Sequence, residues 1–173
     1  GSTISIPNKI HTVRDLTDLL SKENVENIFI SNRDVRLHKI KPKHDDLIRK
    51  STYSIEYVHS KVKDVLFEKD KRNAKVDFDG DLIKGNSQRY QTFFIKGCKC
   101  SVCGIEGQYF AKERHLQDKS YHLNLYAVDD NGDEILMTKD HILPRSKGGI
   151  DDISNYQTMC KPCNEAKGNK LED

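Results

Sequence analysis

The 173-residue chain has no run approaching the roughly 20 consecutive apolar residues that a membrane-spanning helix needs, and its first residues hold no apolar signal-peptide core. Those absences exclude a helical membrane protein and lead us to expect an intracellular location. Charge of one sign is also scarce. The 29 Lys and Arg against 27 Asp and Glu leave a net +2, so the chain is not a uniformly basic nucleic-acid coat. There is no internal repeat and no low-complexity tract. Gly1-Ser2 stand where an initiator Met is usual and read as a cloning scar, to which we give no meaning.

Hydrophobic residues make up 35% and charged residues 32% of the sequence. That balance is soluble and surface-rich but still sufficient for a compact core. The length fits one ordinary domain, or two small ones if a bound metal stabilises one of them. The charge is unevenly spread. Residues 1–99 carry 20 Lys and Arg against 14 Asp and Glu, and residues 100–173 carry 9 against 13. The densest positive stretch is Arg33, Arg36, Lys39, Lys41 and Lys43, interleaved with His38 and His44.

Local patterns give a mixed reading. Val13, Leu16, Leu19 and Leu20 after Thr12 predict a short helix, and 27–31 and 35–40 read as strands around a turn at 32–34. Ile55, Val58, Val62, Val65 and Leu66 behind Ser54 predict a second helix running to about Glu68. From Lys69 to Asn86 the turn signals Asp79-Gly80 and Gly85-Asn86 indicate a loop or weak hairpin. Residues 121–128 and 134–140 alternate like strands around Asp129-Asp130-Asn131-Gly132-Asp133. That acidic run is read as a turn, because its Gly is fourth where a calcium loop needs it sixth.

The expected fold class is therefore α+β, with a mixed α+β N-terminal region over 3–95 and a metal-stapled domain over 96–173. The N-terminal region is expected to grip DNA or a partner, with Arg36, Lys39, Lys41 and Lys43 as its contacts.

Cys100-Ser-Val-Cys103 and Cys160-Lys-Pro-Cys163 are two Cys-x-x-Cys knuckles. Four thiolates on one tetrahedral ion make a closed structural zinc site, whereas a redox motif would not need the second pair. Cys98 is the spare, and His115 and His122 are read as surface or packing residues.

Around the second knuckle run Asp140-His141-Ile142-Leu143-Pro144-Arg145-Ser146-Lys147-Gly148-Gly149, then Asn155 through Cys160, and Asn164-Glu165-Ala166-Lys167-Gly168. Over these residues the chain resembles the HNH nucleases, also called ββα-metal or His-Me finger enzymes. The resemblance implies a metal-dependent endonuclease acting on DNA phosphodiester bonds. It makes His141 the general base, Asp140 and Asn164 the ligands of a catalytic Mg²⁺ or Mn²⁺, and Asn155 the residue that orients the loop. Many relatives have His where this chain has Asn164. The chemistry is consistent, since a neutral imidazole can take a proton near pH 7 and hard oxygen ligands suit Mg²⁺. Arg145 and Lys147 are the nearest phosphate-binding candidates.

Two other readings remain: a zinc-dependent DNA-binding module without catalysis, and a zinc-ribbon adaptor that leaves the Asp140, His141, Asn155 and Asn164 quartet unexplained. One site per chain cuts one strand, so a homodimer is expected only if both strands are cut. A bacterial or phage-infected cytoplasm is the suspected setting.

Overall fold

The computed structural model describes residues 46–170. The helix expected at 12–20, the strands at 27–31 and 35–40, and Arg36, Lys39, Lys41 and Lys43 lie outside them. Among the described residues no helix is long and apolar enough to cross a membrane.

The architecture is α+β. A five-stranded antiparallel sheet has the order β1 (Leu47–Ser54), β4 (Tyr109–His115), β5 (His122–Val128), β6 (Glu134–His141), β7 (Tyr156–Cys160). A small hairpin of β2 (Lys75–Phe78) and β3 (Asp81–Lys84) stands apart from it. Asp79 (φ 55°) and Gly80 (φ 94°) make its turn. Two successive left-handed residues match the right-handed twist of a tight hairpin, which is why Asp-Gly sits there. The expected weak hairpin is thus real. The hairpin of β5 and β6 turns through 129–133, where Asp129 Oδ1 accepts from the backbone of Asn131 and Asp133 at 2.9 Å each. This carboxylate is spent on its own turn.

Helix α1 (Ile55–Val62) starts where Ser54 Oγ accepts from Tyr57 N at 3.1 Å, as the sequence predicts. It ends at Val62, short of the expected Glu68. Tighter turns take over, with Val65 N donating to Val62 O and Glu68 N to Val65 O, and they carry Leu66 into the core. Helix α2 (Gln88–Lys96), capped by Ser87, has no counterpart in the sequence reading. Its buried face is Tyr90, Thr92 and Phe93, and both aromatic rings meet Phe110 of β4.

The described residues all fall in one compact unit. Strand β1 is hydrogen-bonded along β4 from Leu47↔His115 to Ser54↔Tyr109. Residues 47–95 belong to the same sheet and core as the cysteine-bearing half.

A buried charge network fixes that pairing. Arg49 on β1 donates to Glu113 Oε2 at 2.7 Å and to both oxygens of Glu134 at 2.8 and 2.9 Å. Glu113 also accepts from Asn124 and from Tyr126 Oη, and Tyr109 Oη donates to Glu134. Burial alone would push the guanidinium pKa down, but its hydrogen bonds to Glu134 and the charge of Glu113 hold it above its ordinary value. Arg49→Met leaves two buried carboxylates without their cation. We expect it to destabilise the fold by about 3–5 kcal/mol in urea denaturation, and adding Glu113→Gln and Glu134→Gln to recover part of the loss.

Candidate metal centre and active site

The first knuckle follows α2 directly. Gly97 (φ 99°) ends the helix, and the chain turns so that Cys100 N donates to Ile105 O at 2.8 Å and Gly104 N to Cys100 O at 3.0 Å. The second knuckle spans a junction: Cys160 closes β7 and Cys163 sits in the first turn of α3 (Lys161–Lys170). Ser101 N donates to Thr158 O at 2.9 Å, which ties one knuckle to the strand that delivers the other.

The four sulfur atoms lie within 4.8 Å of one another, and Cys103 Sγ is 3.7 Å from Cys160 Sγ. Four sulfurs each about 2.3 Å from a tetrahedral ion stand about 3.8 Å apart, so the cluster fits zinc and is too wide for a disulfide. Val102 N and Cys103 N point at Cys100 Sγ from 3.4 and 3.5 Å. Although burial pushes the Cys100 thiol up, backbone N–H groups of Cys160, Cys103 and Val102 bring it down to about 6. Burial pushes Cys160 up instead, for four adjacent thiols cannot all ionise without a cation. Cys98 lies outside the cluster. Its thiol is directed at Phe93 O, 3.7 Å away, and burial beside Glu106 and Glu56 pushes it up to about 11.

Strand β6 pairs with β7 from Met137↔Cys160 to His141↔Tyr156, and α3 begins at the next residue. The result is a strand–strand–helix unit with Asp140 and His141 at the end of one strand. Asn164, one turn into α3, donates to Thr138 Oγ1 at 2.9 Å. Asp140, His141 and Asn164 line one cavity of 350 Å³, together with Arg145, Lys147 and Lys167. Asn155 stands behind it. Its side chain accepts from Leu143 N at 2.9 Å and donates to Leu143 O and Ile150 O at 3.0 Å each. Three bonds from one amide therefore close the loop that carries Arg145 and Lys147. Residues 129–173 match the family model described as HNH endonuclease. No curated protein and no solved structure matches the chain.

The matched segment contains β6, β7 and α3, and the first knuckle lies outside it. Its Gly-Gly has a steric cause, since a Cβ on Gly149 would meet Leu143 O at 1.7 Å and Gly148 has φ 92°. The mutual approach of 143, 149 and 155 leaves no room for a side chain.

Three residues of the site went unremarked in the sequence. Asp151 Oδ1 lies 2.7 Å from His141 Nε2, and this hydrogen bond lowers the Asp151 pKa. Lys167 donates to Asp140 Oδ2, to His141 O and, at 3.2 Å, to Ile142 O. Lys139 holds its ammonium 4.3 Å from the centre of the Tyr156 ring, whose other neighbour is the edge-on imidazole of His141. Lys167 was findable, because it follows Asn164 by three on a helix and so shares its face. Asp151 and Lys139 have no such signal.

Because a closed four-thiolate site contributes its binding energy to folding, Cys160→Ser combined with Cys163→Ser is expected to abolish stoichiometric zinc and to lower the thermal midpoint. Elemental analysis with calorimetry checks both.

Proposed function

We propose that the chain is a metal-dependent endonuclease that hydrolyses DNA phosphodiester bonds, with His141 as general base. The observation that carries this reading is the convergence of Asp140, His141 and Asn164 on one cation-rimmed cavity within the HNH segment. Asp140 and the amide oxygen of Asn164 are the residues that would hold a divalent ion. Both bonds that Asp140 accepts, from Gln157 at 2.9 Å and from Lys167, fall on Oδ2, so Oδ1 is the oxygen directed to that task. Asn164 spends its NH₂ on Thr138, which fixes the amide and leaves its oxygen as the ligand. The ion, when bound, would neutralise charge growing on the phosphate and the leaving oxygen.

The protein's own part is the proton. With Nε2–H donated to Asp151, His141 is in the tautomer whose Nδ1 is an acceptor, and it takes the proton of the attacking water. The edge of the imidazole against Tyr156, 5.1 Å between centroids at 88°, limits its rotation. Asp151 is a positioning residue in this scheme. Arg145 and Lys147, presented on a single 3-10 turn, bind the phosphates that flank the scissile one.

His141→Ala is expected to keep zinc content and melting temperature while losing about 10²–10⁴ in the cleavage rate of plasmid DNA with Mg²⁺. Asp140→Ala and Asn164→Ala should raise the Mg²⁺ or Mn²⁺ concentration needed for half-maximal cleavage. DNA binding without any cleavage by the intact chain would return it to the zinc-dependent binding modules.

A further inference from the structure

Beside the catalytic cavity lies a larger trough of 720 Å³, lined by Lys84 at the end of β3, by Arg89 and Gln91 of α2, by Asn124 of β5 and by Lys139 of β6. Lys139 lines both spaces, so the two adjoin. Most of the trough is built from residues before 129, outside the HNH match.

Its charge sets it apart. The lining includes three cations and no carboxylate. The two most deeply paired cations of the sheet are neutralised: Arg49 lies against Glu113 and Glu134, and Lys112 against Asp81 at 2.7 Å. In the trough, Arg89 donates to Leu123 O and Asn124 Oδ1, and Lys139 to Gln88 Oε1, all neutral acceptors. Among the described residues no ion pair involves Lys84, Arg89 or Lys139. An uncompensated convergence of this kind is stabilised when an anion enters.

We infer that this trough is a second nucleic-acid subsite, in which Lys84, Arg89 and Lys139 hold the phosphates of the DNA strand that continues away from the scissile bond. The inference rests on the nuclease reading for its direction. A strand carries one charge about every 3.4 Å, so a backbone seated at Asp140 and His141 must place its next phosphates in adjoining space. The trough is such a space, reached through Lys139.

The test is DNA binding by full-length protein in a His141→Ala background, so that substrate is not consumed. It is followed by fluorescence anisotropy of a labelled duplex from 50 to 300 mM NaCl. Each lost phosphate contact reduces the slope of log K against log salt by about one. Lys84→Gln should flatten it by about one, and Lys84→Gln with Arg89→Gln by about two, with weaker binding at every salt concentration. The paired change Lys71→Gln and Lys119→Gln, outside the trough, should leave the slope unchanged. Arg89 also supports Leu123, so Lys84→Gln with unchanged zinc content and melting temperature is the variant that decides. A parental slope and affinity for Lys84→Gln would overturn the subsite while plasmid cleavage by the intact chain still upheld the nuclease. Slopes that fall as expected in a chain that never cleaves would keep the subsite and end the nuclease reading. Tighter, more Lys84-dependent binding of an RNA of the same length would overturn the assignment to DNA.

Discussion

Strand β6 changes partner along its length: Glu134 to Leu136 pair with β5, and Met137 to His141 pair with β7. Every feature of the site depends on that second register. It sets Cys160 opposite Met137 at one end and Tyr156 opposite His141 at the other. Helix α3 begins one residue after β7, so the same register fixes where Cys163, Asn164 and Lys167 stand. Side chains alternate along a strand, and a slip of one residue would turn Asp140 out of its cavity and carry Cys160 away from Cys103.

The four sulfurs protect that register. Cys100 and Cys103 come from a turn behind α2, and Cys160 and Cys163 from the β7–α3 junction, so one ion would join segments some sixty residues apart in sequence. Such a crosslink matters because α3 has little core of its own. A small scaffold can place a carboxylate, an imidazole and an amide to the tolerance chemistry needs only if their supports are locked. Asn155 does the same for the loop, with three hydrogen bonds from one side chain.

Charge is handled in two ways. On the far strands Arg49, Glu113 and Glu134 are drawn in and mutually satisfied, joining β1, β4 and β6. Near the cavity at Asp140 and His141, Lys139, Arg145 and Lys147 gather with Asp151, which has His141 as its closer partner. Formal net charge for the chain is only +2, and the local excess of cations at the site is invisible in that sum.

The sequence by itself determined which side chains the second half brings to its site. Two knuckles of fixed spacing, an Asp-His pair, Gly148-Gly149, Asn155 and Asn164 are local strings, and the backbone geometry each demands is local too: a knuckle, a strand end, a loop that excludes a Cβ. Ser54 and Asp79-Gly80 were legible for the same reason, because caps and turns are decided within four residues. What only the tertiary structure decided rests on long-range contact. The pairing of β1 with β4 depends on Arg49 meeting Glu113 and Glu134, residues 64 and 85 positions away. No periodicity records such a partner, so no local signal places β1 in the sheet of the cysteine-bearing half. Helix α2 went unread because its apolar residues are packed into Tyr90 to Ile95 and its face shows only against Phe110. Asp151, Lys139 and the trough from Lys84 to Lys139 likewise exist only once β3, α2, β5 and β6 are folded side by side.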